Sequence, residues 1–161
     1  MHIRRSTPAD LPAMEEIYAA ARAYMAEQGN PTQWGTANPR REWLEQDMAE
    51  GVSYVCVEDG QVVATFMFTT AGEPTYSSIE DGAWPDDGPY GVVHRIATGG
   101  ARKGAGAFCL NWCLERCGNL RIDTHRDNRP MRALLAKLGF AYCGIIYVED
   151  GTPRLAYYRK G

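Results

Sequence analysis

The sequence lacks any long apolar segment. No apolar run approaches the roughly 20 residues that a helix needs to cross a bilayer. The first residues, MHIRRSTPADL, also lack the apolar stretch of a secretory signal peptide. These absences predict a cytoplasmic protein with no membrane partner.

An excess of positive charge is also lacking. The 161 residues carry 17 Lys and Arg against 20 Asp and Glu, which gives a net charge of -3 at pH 7. A general nucleic-acid binder needs a clear basic excess to neutralise phosphates. The composition therefore argues against nucleic acid as a partner. With 45% hydrophobic and 23% charged residues, the chain is predicted to form one globular domain, residues 1–161.

The sequence has only five cysteines, an odd number. Three of the five, Cys109, Cys113 and Cys117, lie four residues apart in a stretch with helical spacing, so they form one stripe. A metal site usually combines Cys or His from separate elements, whereas free cysteine is among the most buried residue types. The stripe therefore predicts core packing and no metal site.

The stretch from Tyr90 to Cys117 predicts a strand, a glycine-rich loop and a helix. The apolar run around Val92 leads into a loop with four glycines, and helical spacing follows from Leu110. The N–H groups at a helix start have no intrahelical partner and the helix dipole is positive there, so an anion is favoured.

This loop is a candidate cradle for a pyrophosphate. Gly104 and Gly106 have no Cβ to block a phosphate, and Arg102 and Lys103 add cationic donors. The spacing matches neither the P-loop, which needs Lys and then Ser or Thr, nor the dinucleotide fingerprint G-x-G-x-x-G. The alternative is a tight turn with a basic rim and no ligand.

The remaining pattern completes the order β-α-α-β-β-β-α-β-α-β-β, without a repeat or a linker. The other predicted strands are Ile3–Arg5, Ser53–Val57, Val62–Phe68, Leu120–His125, Phe140–Val148 and Arg154–Tyr158. Three other helices are predicted. The first carries Met14 to Met25, the second begins at Pro39, and the third runs from Asp127-Asn128 to Gly139. A long loop, Thr70 to Pro89, separates the third and fourth strands.

Three of these features together resemble the GCN5-related N-acetyltransferase (GNAT) superfamily over essentially the full chain. They are the element order, the strand, glycine loop and helix of Val92 to Cys117, and the closing run from Asp127-Asn128 to Leu138-Gly139-Phe140. The resemblance implies a single α/β (α+β) domain. Its sheet would be mixed and mostly antiparallel, with about six to seven strands flanked by about four helices.

The resemblance also implies an acetyl-CoA-dependent enzyme. It would move an acetyl group to a primary amine of a small molecule or protein by direct attack on the thioester. Carried over by position, Ile96, Ala97 and Thr98 would face the pantetheine, the pyrophosphate would lie on Arg102, Lys103, Gly104, Ala105, Gly106 and Ala107, and Asn128 and Met131 would lie near the cofactor's other side.

Two positions depart from the family pattern. Ala101 stands where the family usually has Gln or Arg, and Leu135 stands where a tyrosine often protonates the thiolate. They leave open a second interpretation, a CoA-binding sensor or interaction domain without turnover.

Proton transfer from the amine needs a base, and His94 in the cofactor strand is the first candidate. Histidine ordinarily titrates near neutral pH. Asp123 and His125 are predicted to share one strand face, where they could form a carboxylate–imidazole pair. For each of the three, a hydrogen-bonded structural role is the alternative.

Acceptor recognition is assigned to aromatic and acidic residues of two loops. These are Trp34, Tyr76, Glu80 and Trp84. Acids beside aromatics suit a cationic amine. The same loops are equally suited to contact a second subunit in a homodimer.

Overall fold

Seven strands and four helices make up the computed structural model within the residues that it describes, 1–100 and 103–161. The strands are β1 His2–Arg5, β2 Ser53–Glu58, β3 Gln61–Thr69, β4 Gly91–Thr98, β5 Asn119–Thr124, β6 Ala141–Tyr147 and β7 Pro153–Lys160. The helices are α1 Leu11–Glu27, α2 Arg41–Ala49, α3 Ala105–Cys117 and α4 Arg129–Lys137. This is the predicted order of elements. No helix in the two described ranges is long and apolar enough to cross a membrane.

All the strands belong to one sheet, in the order β1-β2-β3-β4-β5-β7-β6. Every neighbouring pair is antiparallel except β4 and β5, which are parallel and joined by the crossover helix α3. Asp59 and Gly60 between β2 and β3 both have positive φ, as a tight hairpin turn requires. The sheet is therefore mixed and mostly antiparallel, as predicted.

The sheet is covered on both faces. Helix α3 packs on one face, where Cys109 and Cys113 are fully buried among residues such as Phe66 and Leu120. Burial raises the pKa of the Cys113 thiol, which keeps it protonated. Helix α1 packs on the other face with Met14 and other apolar side chains. The predicted role of the cysteine stripe in the core is confirmed.

Most predicted boundaries differ from those of the structure by one or two residues, and two of the differences concern the site. Helix α2 begins at Arg41 rather than at Pro39, because Arg40 still has an extended backbone. Strand β5 ends at Thr124, so His125 lies outside it. The chain turns there, since the carbonyl of His125 accepts a hydrogen bond from the Asn128 N–H at 2.9 Å.

Gly91 is the glycine that fixes the start of β4 against α3. A Cβ at Gly91 would lie 2.8 Å from Cys117 Sγ and 2.8 Å from Phe68 Cε1. We expect Gly91→Ala to lower the free energy of unfolding by about 1–3 kcal/mol through overpacking, measured by urea unfolding. Gly99→Ala is the control, because its Cβ would meet nothing closer than 3.7 Å. Equal losses in both variants would contradict the packing argument.

Candidate active site

Strands β4 and β5 separate soon after they begin. They pair only at Gly91 with Leu120 and at Val92 with Arg121. On its other edge, β4 remains paired with β3 as far as Thr98. Within the described ranges, the edge of β4 that faces β5 therefore has no strand partner beyond Val92. Backbone N–H and C=O groups on such an edge are available to an extended ligand.

A bulge at Arg95 bends β4 at this separation. Arg95 has φ 53°, and the register between β3 and β4 shifts beside it. The Tyr18 hydroxyl donates to the Arg95 carbonyl at 2.7 Å. The Arg95 guanidinium donates to both carboxylate oxygens of Asp47, with Nη2 2.8 Å from Oδ1 and 2.7 Å from Oδ2. Helices α1 and α2 therefore both hold the bulge.

A cavity of about 600 Å³ opens where the two strands part. Its walls come from β4, β5, β7, α2, the start of α4, and loops on either side of the sheet. The wall residues that the following argument uses are Trp34, Glu73, His94, Asp123, Asn128 and Arg154. The cavity is large enough for a small acceptor beside the open strand edge.

His94 lies between two carboxylates in this wall. Its Nε2 is 2.6 Å from Glu73 Oε1, and its Nδ1 is 3.9 Å from Asp123 Oδ2. The hydrogen bond to His94 lowers the pKa of Glu73 to about 2, although burial acts in the opposite direction. Glu73 is therefore ionised at neutral pH. Its other oxygen, Oε2, accepts the Thr75 N–H at 3.0 Å.

Tyr76 fixes the second carboxylate. Its hydroxyl donates to Asp123 Oδ2 at 2.6 Å. Tyr76 is only 1% exposed, and burial raises its pKa well above the ordinary value, so the hydroxyl stays protonated. The imidazole is thus placed between two oriented acids, which is an arrangement suited to taking up a proton.

Comparison with known proteins identifies the family. The model of the acetyltransferase (GNAT) family matches residues 13–140. The chain belongs to the GNAT acetyltransferase family. No match was found among curated proteins.

Solved structures agree with this assignment. A GNAT-family acetyltransferase from Streptococcus agalactiae 2603 is 32% identical, with a TM-score of 0.87 over 99% of this chain and 95% of that chain. A ribosomal-protein-alanine N-acetyltransferase from Brucella melitensis is 22% identical, with a TM-score of 0.64 over 100% of both chains. YncA from Salmonella typhimurium, a putative acetyltransferase solved with its cofactor acetyl-CoA, is 19% identical, with a TM-score of 0.64 over 99% and 92% of the two chains. The last two show the shared fold alone.

The start of α3 in this GNAT protein fits an anionic group. Phe108 donates the first helical hydrogen bond, to the Gly104 carbonyl at 2.9 Å. The N–H groups before it belong to residues with small side chains or none, Ala105, Gly106 and Ala107. Lys103 is exposed beside them. Such a helix start suits a phosphate or pyrophosphate.

The structure adds a conformational or packing role for each of the two loop glycines. Gly104 has φ 84°, so its backbone conformation favours glycine. A Cβ at Gly106 would lie 3.1 Å from Leu134 Cδ2, which shows that Gly106 permits close packing of α3 on α4. The predicted contribution of Arg102 lies outside the described residues, as does the departure at Ala101.

The other residues predicted to bind the cofactor divide between the cavity and the core. Ile96, Asn128 and Met131 line the cavity. Ala97 is buried against α1, and Thr98 lies beside the start of α3. Asn128 caps α4 by accepting the Met131 N–H at 3.2 Å, and its Nδ2 donates to Gln33 Oε1 at 3.0 Å.

The structure does not bring Asp123 and His125 together. His125 follows the end of β5, and its ring lies 3.3 Å from Thr32 Oγ1 and 3.7 Å from Asp127 Oδ2. Asp123 faces His94 and Tyr76 instead. The expected common strand face is wrong because the strand ends before His125.

Of the four residues assigned to acceptor binding, only Trp34 lines the cavity. Tyr76 is buried behind Asp123. Trp84 packs on Tyr76 and donates its Nε1–H to the Tyr76 carbonyl at 2.9 Å. Glu80 accepts the Tyr147 hydroxyl at 2.9 Å outside the cavity. These three order the long loop around the site.

Glu73 is a site residue that sequence reasoning missed. The sequence around it indicates only a local role, because Glu73 directly precedes Pro74 and caps a short turn, Pro74–Tyr76. Asp47 and Arg95 were also missed, and their pairing joins positions that are distant in the sequence.

The ion pair at the bulge generates a stability prediction. Asp47 is only 6% exposed, so Arg95→Met would leave a buried carboxylate without its partner. We expect a loss of about 3 kcal/mol in the free energy of unfolding at pH 8, measured by urea unfolding. The double variant Arg95→Met/Asp47→Asn should recover most of it. A double variant as unstable as the single one would contradict this account.

Glu73 generates a prediction about pH. A carboxyl with its pKa lowered from 4.5 to about 2 stabilises the fold above pH 4.5, and this stabilisation is lost as the pH falls toward 2. Over that range, the free energy of unfolding should fall more steeply in the parent protein than in Glu73→Gln, by about 1–3 kcal/mol. The measurement is urea unfolding as a function of pH. Parallel curves would show that Glu73 is not held by His94.

Proposed function

We propose that this GNAT protein moves the acetyl group of acetyl-CoA to a primary amine of a small molecule or protein in one direct transfer. The observation that carries the proposal is the His94–Glu73 pair in the cavity wall where β4 leaves β5. Acetyl-CoA is supported by family membership, by the open strand edge and by the start of α3, where the helix N–H groups suit an anion. When bound, acetyl-CoA supplies an acetyl thioester that an amine can attack.

The open edge of β4 and the start of α3 would hold the cofactor. The backbone of Ile96, Ala97 and Thr98 would pair with the extended pantetheine. The N–H groups of residues 104–107, with Lys103 and Arg102, would bind the pyrophosphate. Asn128 and Met131 would form the opposite wall.

His94 would remove the proton from the amine. An ammonium has no lone pair, so one proton must leave before attack. In the neutral imidazole, Nε2–H donates to the ionised Glu73, which leaves the Nδ1 lone pair free as the acceptor. The resulting imidazolium would lie between the Glu73 and Asp123 carboxylates.

Glu73 and Asp123 also make the cavity attractive to a cationic amine. Trp34 adds an aromatic wall whose ring packs edge-on against Tyr18, with 5.5 Å between the ring centroids. Tyr76 would act through Asp123 as a positioning residue, because its hydroxyl is committed to that carboxylate.

One observation supports the alternative of a CoA-binding sensor without turnover. Leu135, at the position of the family's thiolate-protonating tyrosine, is fully buried in the core. No hydroxyl comes from this position. The leaving thiolate would then need a proton from solvent or from another group in the cavity.

The test is steady-state release of CoA thiol with a panel of primary amines. We expect His94→Gln to lower kcat by about 10²–10⁴-fold, the usual contribution of a positioned base, while the rise in melting temperature with acetyl-CoA is retained. His2→Gln in β1 is the control and should match the parent protein.

Two results would contradict the proposal. If the parent protein binds acetyl-CoA but releases no CoA thiol with any amine of the panel, the result favours the sensor. If His125→Gln loses turnover and His94→Gln keeps it, His94 is not the base and the proposed assignment of the proton transfer is wrong.

A further inference from the structure

A buried guanidinium faces the cavity without a carboxylate partner. Arg154 is only 9% exposed, and it lines the cavity described above. Its hydrogen bonds run from Nη1 to Thr152 Oγ1 at 3.1 Å and to the Pro153 carbonyl at 2.9 Å. Within residues 1–100 and 103–161, Nε and Nη2 donate to no protein group, and no carboxylate oxygen lies within 4.0 Å of the guanidinium. Buried arginines are usually paired.

The turn before β7 holds this guanidinium in place. Thr152 Oγ1 accepts from Arg154 and donates to Asp150 Oδ1 at 2.6 Å. Asp150 also accepts the Thr152 N–H at 3.0 Å, so its carboxylate is occupied by the turn. The free edge of Arg154 is therefore directed by local hydrogen bonds rather than by an ion pair.

Arg154 shares a sheet face with the proposed catalytic residues. Asp123 in β5 pairs with Ala156 in β7, and residues two apart on a strand project to the same side. Arg154 thus projects from the same face as Asp123, whose carboxylate lies beside His94. The charges of Asp123 and Asp150 both act on Arg154 from beyond ion-pair distance, whereas burial lowers its pKa.

We infer that Arg154 binds a carboxylate of the acceptor, and that the acceptor is therefore a small zwitterion of the amino-acid type. Its amine would lie toward Glu73 and His94 and its carboxylate toward Arg154. A guanidinium edge binds the two oxygens of a carboxylate with two parallel hydrogen bonds. The inference rests on the proposed function and narrows its substrate class.

A monoanion fits this position better than a phosphate. Asp123 and Asp150 already place negative charge near Arg154, and a dianion there would be repelled more strongly. A free primary amine without an anionic group would leave the Arg154 donors unpaired in a closed complex, which is costly for buried polar groups.

The experiment compares matched acceptors in the 161-residue protein with acetyl-CoA. The probes are L-amino acids, the amides of the same amino acids, and the amines left by removal of the carboxylate, with O-phosphoethanolamine as a phosphate-bearing amine. Thiol release gives kcat and KM. Saturation-transfer NMR in the presence of CoA reports binding of the same probes without turnover.

We expect at least one amino acid to be acetylated with a kcat/KM well above that of its amide and its amine. Arg154→Gln should raise the KM for that amino acid by about 10–100-fold and leave the KM for the amide and the amine nearly unchanged. Arg154→Lys keeps the positive charge but loses the paired N–H donors of the guanidinium, so its KM for the amino acid should be intermediate. Arg159→Gln, on the same strand but outside the cavity wall, is the control.

The outcomes separate the two proposals. Equal or better use of amides and amines, or a preference for O-phosphoethanolamine, would overturn the carboxylate site and leave acetyl transfer standing. Transfer to no probe would overturn acetyl transfer to small amines. In that case NMR tests the carboxylate site. Amino-acid binding that Arg154→Gln abolishes would support the site. No amino-acid binding in the parent protein would overturn it. Circular dichroism of both Arg154 variants shows whether the fold is retained.

Discussion

The separation of β4 from β5 is the constraint on which the site depends. Parallel strands that stayed paired along their whole length would bury the edge of β4 and close the cavity. The bulge at Arg95 prevents this, and it is fixed by the Tyr18 hydroxyl and the Asp47 carboxylate. A non-glycine residue at φ 53° is held there by the surrounding structure. Helices α1 and α2, which supply these two side chains, therefore help to determine whether a ligand can enter.

The same bulge links stability to chemistry. Arg95 follows His94 directly, so the backbone conformation that sends the Arg95 guanidinium to Asp47 also sets where the imidazole lies. His94 is then fixed by Glu73, which comes from the long loop before β4. The loop is ordered in turn by the contacts of Tyr76, Trp84 and Asp123. Side chains from the loop thus act on the site mainly by positioning the two carboxylates.

The fold could be predicted from the sequence because its signals are local. Asp59-Gly60 marks a hairpin, and the spacing of Cys109, Cys113 and Leu110 marks a buried helix face. The site depends on pairs that local periodicity does not reveal. Asp47 and Arg95 are 48 residues apart, and Glu73 and His94 are 21 residues apart. At His125 the local pattern was misleading. The alternation of polar and apolar residues continues through His125, although β5 ends at Thr124.

The charges around the cavity show what an acceptor must supply. Asp47 is neutralised by Arg95, and Glu73 is held by His94. Asp123 is bonded to Tyr76, and Asp150 is bonded within its own turn. Arg154 is the buried cation of this wall that has no such partner among the described residues. Because the guanidinium of Arg154 lines the cavity and has no carboxylate partner there, an acceptor that brings an anion together with its amine completes the site best.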